Sequence, residues 1–198
     1  MTDPLITDGR TARRERNRTA VLDAVLELFG EGSINPTPDE VAARSGVSLR
    51  SVYRYFDDRE SLLRSAMEHH FLRIQPLFSL EIDPLDDLDR RVSALVGQRI
   101  RLYEAASAVF RAAIARAGSH SLIDDRVRER RELLARQVQE LFAPELAALG
   151  ARGPEVSAMV DVVTEFESID HLRRFRGLDV DQTVAAVGHA VQSLLRPA

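Results

Sequence analysis

The chain is written in helical period. Apolar residues recur three and four positions apart over long stretches, and no alternating run of useful length argues for a strand. An all-α fold is therefore expected. Eight prolines and ten glycines punctuate the pattern. Residues 1–10 carry no stripe and read as a loose tail. A first helix is predicted over about 11–29, with Val21, Ala24, Val25, Leu28 and Phe29 on its inner side, stopped by Gly30 and Gly32. Two short helices fill 37–56 after a break at Asn35-Pro36. A longer helix starts near Asp58 and carries Leu62, Leu63, Ala66, Met67 and Phe71. Pro76 and Pro84 then interrupt the pattern, which places a boundary there. Further helices are expected at about 85–104, 106–117, 121–142, 154–176 and 180–195, jointed at Gly118, Pro144, Gly150, Gly153 and Gly177. Three parts result: residues 1–57, a connecting helix at 58–75, and residues 76–198.

The chemistry concentrates between Thr37 and Arg64, in TPDEVAARSGVSLRSVYRYFDDRESLLR. Thr37-Pro38-Asp39-Glu40 reads as a capping box with proline at the first helical position. Ser45-Gly46 ends that helix, and Gly46 sits where a tight turn needs a left-handed backbone. Ser48 can cap the next helix, which runs to about Phe56. Val41, Ala42, Val47, Val52 and Phe56 form the inner side. Two short helices, a glycine turn and a capped second helix make a helix-turn-helix, whose second helix enters a major groove. Its outward positions are Ser48, Leu49, Arg50, Ser51, Tyr53 and Arg54. Arg50 and Arg54 lie one turn apart, and either suits a bidentate contact to guanine O6 and N7. The hydroxyls of Thr37, Ser48, Tyr53 and Tyr55 suit phosphates, which position without specifying. Arg59, at the start of the next helix, can hold another phosphate beside free amides.

Composition sharpens this picture. The chain has 198 residues, 44% apolar and 29% charged, enough for one domain or two small ones with a real core. No apolar run is long enough for a bilayer, and the N-terminus has no signal-like apolar stretch, so neither membrane nor export is expected. There is no cysteine, which removes disulfides, thiol nucleophiles and thiolate metal sites and fits a cytoplasmic location. All 27 basic residues are arginine, a bias that a high-GC genome would explain. The net charge of −4 rules out indiscriminate coating of nucleic acid, so any DNA binding needs a local basic surface. Residues 10–18 supply one, with five arginines (10, 13, 14, 16 and 18) against Glu15 alone. Such a run is often a solvated helix face; beside a helix-turn-helix it reads as an arm or helix end near the DNA backbone.

The segments T-x-D-E-V-A-A-R-S-G-V-S, S-V-Y-R-Y-F and D-R-E-S-L-L occur in order and without gaps. In them the chain resembles the TetR-like transcriptional regulators over about residues 11–70. The resemblance implies an N-terminal three-helix DNA-binding domain, a connecting fourth helix, and a helical ligand-binding and dimerisation domain. Carried over by position, it implies DNA contacts at Thr37, Ser48, Leu49, Arg50, Ser51, Tyr53, Arg54, Tyr55 and Arg59. Arg50 stands where the family often has a small residue or proline, which suggests a private operator. Arg59 replaces the usual lysine and keeps the charge.

Beyond residue 75 the resemblance weakens. Residues 164–173, with Gly177-Leu178, look like stretches that lie near the family's dimer interface. Periodicity agrees: Val156, Met159, Val160, Val163, Phe166 and Ile169 form one stripe, and Val184, Val187, Val191, Leu194 and Leu195 another, opened by an Asp179–Gln182 cap. Two such helices from each of two chains would make a four-helix interface, with Val163, Phe166, Val184, Val187, Val191 and Leu194 in it. The alternative is packing within one chain. A homodimer also supplies the two half-sites, about 34 Å or a multiple apart, that a helix-turn-helix reader needs. A small-molecule effector that favours one conformation would move the recognition helices apart through the connecting helix. Its pocket is expected among helices 85–142 with help from 154–176. Arg99 is the candidate for an anionic group, or else a surface arginine whose stem covers apolar atoms. Tyr103, Phe110 and Phe166 are candidate lining residues that fit a core equally. His171 fits either a ligand or the interface.

No cofactor or metal is expected. A rival all-α metal enzyme would need paired Glu-x-x-His repeats; Glu68-His69-His70 and the Glu167/His171 pair do not supply them. No nucleophile–base set or phosphate-cradling glycine loop occurs. A second rival, a ligand-binding helical protein without DNA binding, is opposed by the intact Thr37–Arg59 segment. The expectation is a ligand-responsive regulator binding an inverted-repeat double-stranded operator as a dimer, a repressor with activation as the alternative.

Overall fold

The structure, a computed structural model, describes residues 4–83, 85–116 and 121–196, all helix, turn or loop. Ten α-helices are described: α1 (Pro4–Gly30), α2 (Pro38–Ser45), α3 (Leu49–Tyr55), α4 (Arg59–Ile74), α5 (Leu88–Arg116), α6 (Ser121–Leu141), α7 (Ala143–Ala148), α8 (Gly153–Thr164), α9 (Phe166–Asp170) and α10 (Val180–Leu195). Short 3₁₀ turns follow α4 and α7, and a π turn, His171–Phe175, follows α9.

Three expectations change. The tail is helical from Pro4 onward, so the basic run rides on the front of α1; residues 1–3 lie outside the described residues. The joint expected between 104 and 106 is absent, because the Glu104-Ala105-Ala106 stretch is made of good helix formers and α5 passes through it. The helix expected over 154–176 breaks at Glu165, whose ψ of 162° is extended. Pro84 and Gly118, two expected joints, lie outside the described residues.

The chain divides into two compact units. The first is Met1–Arg73 with Ala108–Ile123, and the second is Ile74–Ser107 with Asp124–Ala198. In the first, Val21, Val25, Val41, Val52, Leu62, Leu63 and Ala66 are buried, as their spacing requires. Phe110 stands edge-on to Phe71, 5.9 Å between ring centres. In the second, Val92, Leu95, Val96, Val138, Leu141, Phe142, Val156, Val160, Val187, Val191 and Leu195 form a continuous core.

Gly153 begins α8, where a Cβ would meet the backbone carbonyl of Leu146, its carbon at 3.2 Å. Only glycine lets the start of α8 approach α7 that closely. Arg91 of α5 is buried and ties that helix to the end of α6 and to α7. It donates to the Leu141 carbonyl (2.7 Å) and to both carboxylate oxygens of Glu145. Burial alone would raise the Glu145 carboxyl, but the Arg91 guanidinium outweighs it and holds the group below its ordinary value.

Candidate nucleic-acid interface

The local sequence builds the motif as its chemistry requires. Thr37 accepts from the Glu40 amide (3.3 Å), and Glu40 takes the Thr37 amide (2.7 Å), so the box is reciprocal. The Thr37 amide, and after it the Thr37 hydroxyl, donate to the Glu40 carboxyl and hold it below its ordinary value. Gly46 closes α2 at φ 67°. Ser48 caps α3 through the Ser51 amide (3.3 Å). Val41, Val47, Val52 and Phe56 are buried, which turns the opposite side of α3 outward. Arg50 and Tyr53 are exposed there, and Arg50 makes no hydrogen bond or ion pair among the described residues. A free guanidinium on a presented helix is what bidentate guanine contact needs.

Arg54 is placed differently. Its guanidinium lies over the Tyr55 ring, 5.3 Å from the centre, and donates to the Tyr55 hydroxyl (3.3 Å). It lines a cleft of about 580 Å³ with Arg10, Arg13, Arg14, Asn17, Ser51 and Tyr55. Sequence alone left Arg50 and Arg54 equivalent. Arg59 is also committed: its Nε donates to the Pro36 carbonyl (2.9 Å) and an Nη to Asn35. It clamps the loop before α2. The amides expected to be free beside it are partly taken, since Asp58 caps α4 through the Ser61 amide (2.7 Å). Arg18 lies over Phe56, 5.4 Å from its ring centre.

Of the residues expected around an effector, Tyr103 and Phe166 meet, while Phe110 belongs to the other unit. Phe110 is in the first unit's core against Phe71. Tyr103 is buried and donates to Asp170 (3.0 Å), with Phe166 tilted against its ring at 5.4 Å. His171 is exposed and stacks on Phe175. Arg99 is neither a surface residue nor an open anion site; it is only 3% exposed. It donates to Gln98, to Gln137 (2.9 Å) and to the Leu134 carbonyl (2.9 Å). Gln98 and Gln137 both donate to the Phe78 carbonyl, at 2.8 and 2.6 Å. Burial pulls the Arg99 pKa down to about 10, against the opposing charges of Asp161 and Glu165. A groove lies between α6, α7 and α8. It measures about 490 Å³ and is lined by Ala135, Gln139, Leu146, Gly153, Pro154, Ser157, Ala158 and Asp161. Helical period could not find it, because Ala135, Ala158 and Ser157 carry no stripe signal.

The interface was expected at the level of whole helices, and of the residues named for it Val187 and Val191 are buried in the chain's own core. Val163, Phe166, Val184 and Leu194 pack partly against that core. The exposed apolar positions are Met159 (48%), Val162 (53%), Phe175 (73%) and Val180 (39%). On α10 the expected stripe points inward at Val187 and Val191, whereas on α8 Met159 of the expected stripe is exposed, as is Val162.

A capped helix-turn-helix with a free arginine on its second helix, in an all-helical chain, defines a DNA-binding regulator. The comparisons with known proteins agree. Residues 21–66 match the profile of the bacterial regulatory proteins, tetR family. The chain is 31% identical over 142 residues to the HTH-type transcriptional regulator BetI of Escherichia coli, covering 62% of this chain and 73% of that one. It is 38% identical over 71 residues to the HTH-type transcriptional repressor LfrR of Mycolicibacterium smegmatis, 35% of this chain and about a third (34%) of that one. A tetR-family transcriptional regulator from Streptomyces coelicolor shares the fold, with a TM-score of 0.69 at 19% identity over 91% of this chain and 79% of that one. The chain belongs to the tetR family of bacterial regulatory proteins. That membership displaces the rival enzyme reading. Among the described residues no helix is long and apolar enough to cross a membrane.

Proposed function

We propose that the chain is a ligand-responsive transcriptional repressor that binds an inverted-repeat operator as a homodimer and is released by a small molecule. The observation that carries this reading is the presented α3, with Arg50 exposed and uncommitted beside the basic cleft. The expected DNA contacts Thr37, Ser48, Leu49, Ser51, Tyr53 and Tyr55 flank it, while Arg59 acts first by holding the 35–36 loop.

Two further observations support the dimer and the effector. Met159, Val162 and Val180 leave apolar area open on α8 and α10, the helices that family resemblance assigns to pairing. The groove of α6, α7 and α8 has mostly apolar walls and one carboxylate, that of Asp161, whose two side-chain oxygens accept no hydrogen bond among the described residues. Burial raises the Asp161 carboxyl above its ordinary value, and the charges of Arg99 and Arg131 offset this only in part. An effector with an apolar body and a cationic group answers both features of the groove.

The test is selection of bound duplexes from a random pool at near-physiological salt, followed by sizing of the protein free and on DNA. An inverted repeat bound by two chains is the expected result. Enrichment of nothing by protein that has been unfolded, washed and refolded would overturn the reading. A screen of organic cations for release of the selected duplex then tests the groove, with Asp161→Asn expected to abolish the response and leave DNA binding intact.

A further inference from the structure

Arg10, Arg13, Arg14 and Asn17 follow the i, i+3, i+4, i+7 spacing of a single helix face. On the front of α1 that face closes one side of the basic cleft, and Ser51, Arg54 and Tyr55 of α3 close the other. Residues 10–17 precede the 21–66 segment that matches the family profile, so half of this cleft is built by chain outside it. Arg10, Arg13 and Arg14 form no ion pair with a described acidic residue. Four guanidinium groups share one cleft with no carboxylate lining it. Like charges gathered in one cleft repel, and a bound anion such as a phosphate relieves the repulsion. Arginine forks also match phosphate oxygens bidentately. The other two arginines of the run are elsewhere: Arg18 lies over Phe56 and is 3.9 Å from Glu15, and Arg16 is off the stripe.

The cleft draws on part of α3 only: Ser51, Arg54 and Tyr55 line it, whereas Leu49, Arg50 and Tyr53 do not. Arg54 is held in place by Tyr55.

We propose that α1 and α3 form a clamp for the phosphodiester backbone of the operator, in which Arg10, Arg13, Arg14 and Arg54 neutralise phosphates and leave Arg50 as the arginine of α3 that reads bases. The proposal rests on the reading of the chain as an operator-binding regulator. It makes Arg54 a positioning contact rather than a reader.

The test uses the full chain and its selected operator. Affinity is measured by anisotropy between about 50 and 200 mM salt, the range over which phosphate contacts dominate the change. Each phosphate contact contributes about 0.9 to the slope of log affinity against log salt. Because two chains bind the operator, each substitution removes two contacts, so R10A/R13A/R14A is expected to flatten the slope by ~5 and R54A by ~2, both with the preferred sequence unchanged. R50A is expected to keep most of the slope and lose preference at one base pair. R13K/R14K should restore the slope, because an ammonium also neutralises a phosphate. R16A should match wild type. Alanine favours helix, so unchanged helical content in the triple variant separates lost contacts from lost structure. A wild-type slope in the triple variant, or a changed base preference in R54A, overturns the clamp while leaving the regulator standing. Failure of wild type to select any duplex overturns both.

Discussion

Arginine has two fates in this molecule, seen on one face of the first unit and in the interior of the second. On the first unit's α1–α3 face, Arg10, Arg13, Arg14 and Arg50 are exposed and have no carboxylate among the described residues. In the second unit Arg91 is buried against Glu145, Arg99 is enclosed by amides and a carbonyl, and Arg173 reaches Glu104 (3.3 Å) and the Leu178 carbonyl (2.7 Å). Because the chain has no lysine, the contrast owes nothing to residue type. A cation that satisfies itself internally is structure. A set of cations left unsatisfied on one face is a demand for an external anion. Arg44, which forks onto Glu31 at 2.8 Å on both nitrogens, is an arginine of the first unit that is paired away from that face.

The largest expected effect tests the structural side of this contrast. Glu145→Ala strands Arg91 in a buried site and should lower stability by about 3 kcal/mol, read by thermal or urea melting. The double variant R13A/R14A should change stability by less than about 0.5 kcal/mol, as exposed substitutions do. Equal losses would erase the distinction. Next are two glycines with different duties. Gly153→Ala drives a methyl into the Leu146 carbonyl and should cost about 1–3 kcal/mol in the second unit. Gly46→Ala forces a side chain into the left-handed region and should cost about 1–2 kcal/mol in the first, with operator affinity falling alongside. Loss of the cap in Thr37→Ala should cost about 1 kcal/mol, detectable as faster amide exchange at the start of α2.

The smallest effect is a pH signature of opposite sign at two carboxylates. Glu145 is held below its ordinary value, so its contribution is present above the ordinary carboxylate range and is lost as pH falls through its folded value. Asp161 is raised, so its contribution is full at low pH and is lost as pH rises through its folded value. Asp161→Asn should therefore stabilise the protein at neutral pH, with the advantage shrinking toward about pH 4. Melting curves across that range check it; an advantage that grew on acidification would contradict the burial of Asp161.

The helix-turn-helix was legible because each of its parts is a short-range device. Thr37 and Glu40 are three residues apart, and Gly46 and Ser48 act on their neighbours. The division of labour between Arg50 and Arg54 was not legible. The two are one turn apart on the same helix, and what separates them is α1, brought alongside from distant sequence. Arg99 was ambiguous for the same reason. Its position beside an apolar stripe is visible in the chain, whereas Gln137 and Leu134, which satisfy it, come from another helix.

The two stripes near the C-terminus show the limit most clearly. Periodicity identifies a face that must be covered and is silent about what covers it. Val187 and Val191 are covered by their own chain, and Met159 and Val162 face outward. Helix, cap and turn follow from interactions within a few residues of one another, and the amino-acid order therefore specifies them directly. Which apolar face is core, which arginine is free, and where a groove opens depend on distances between residues far apart in the chain. Those distances exist only once the helices have packed.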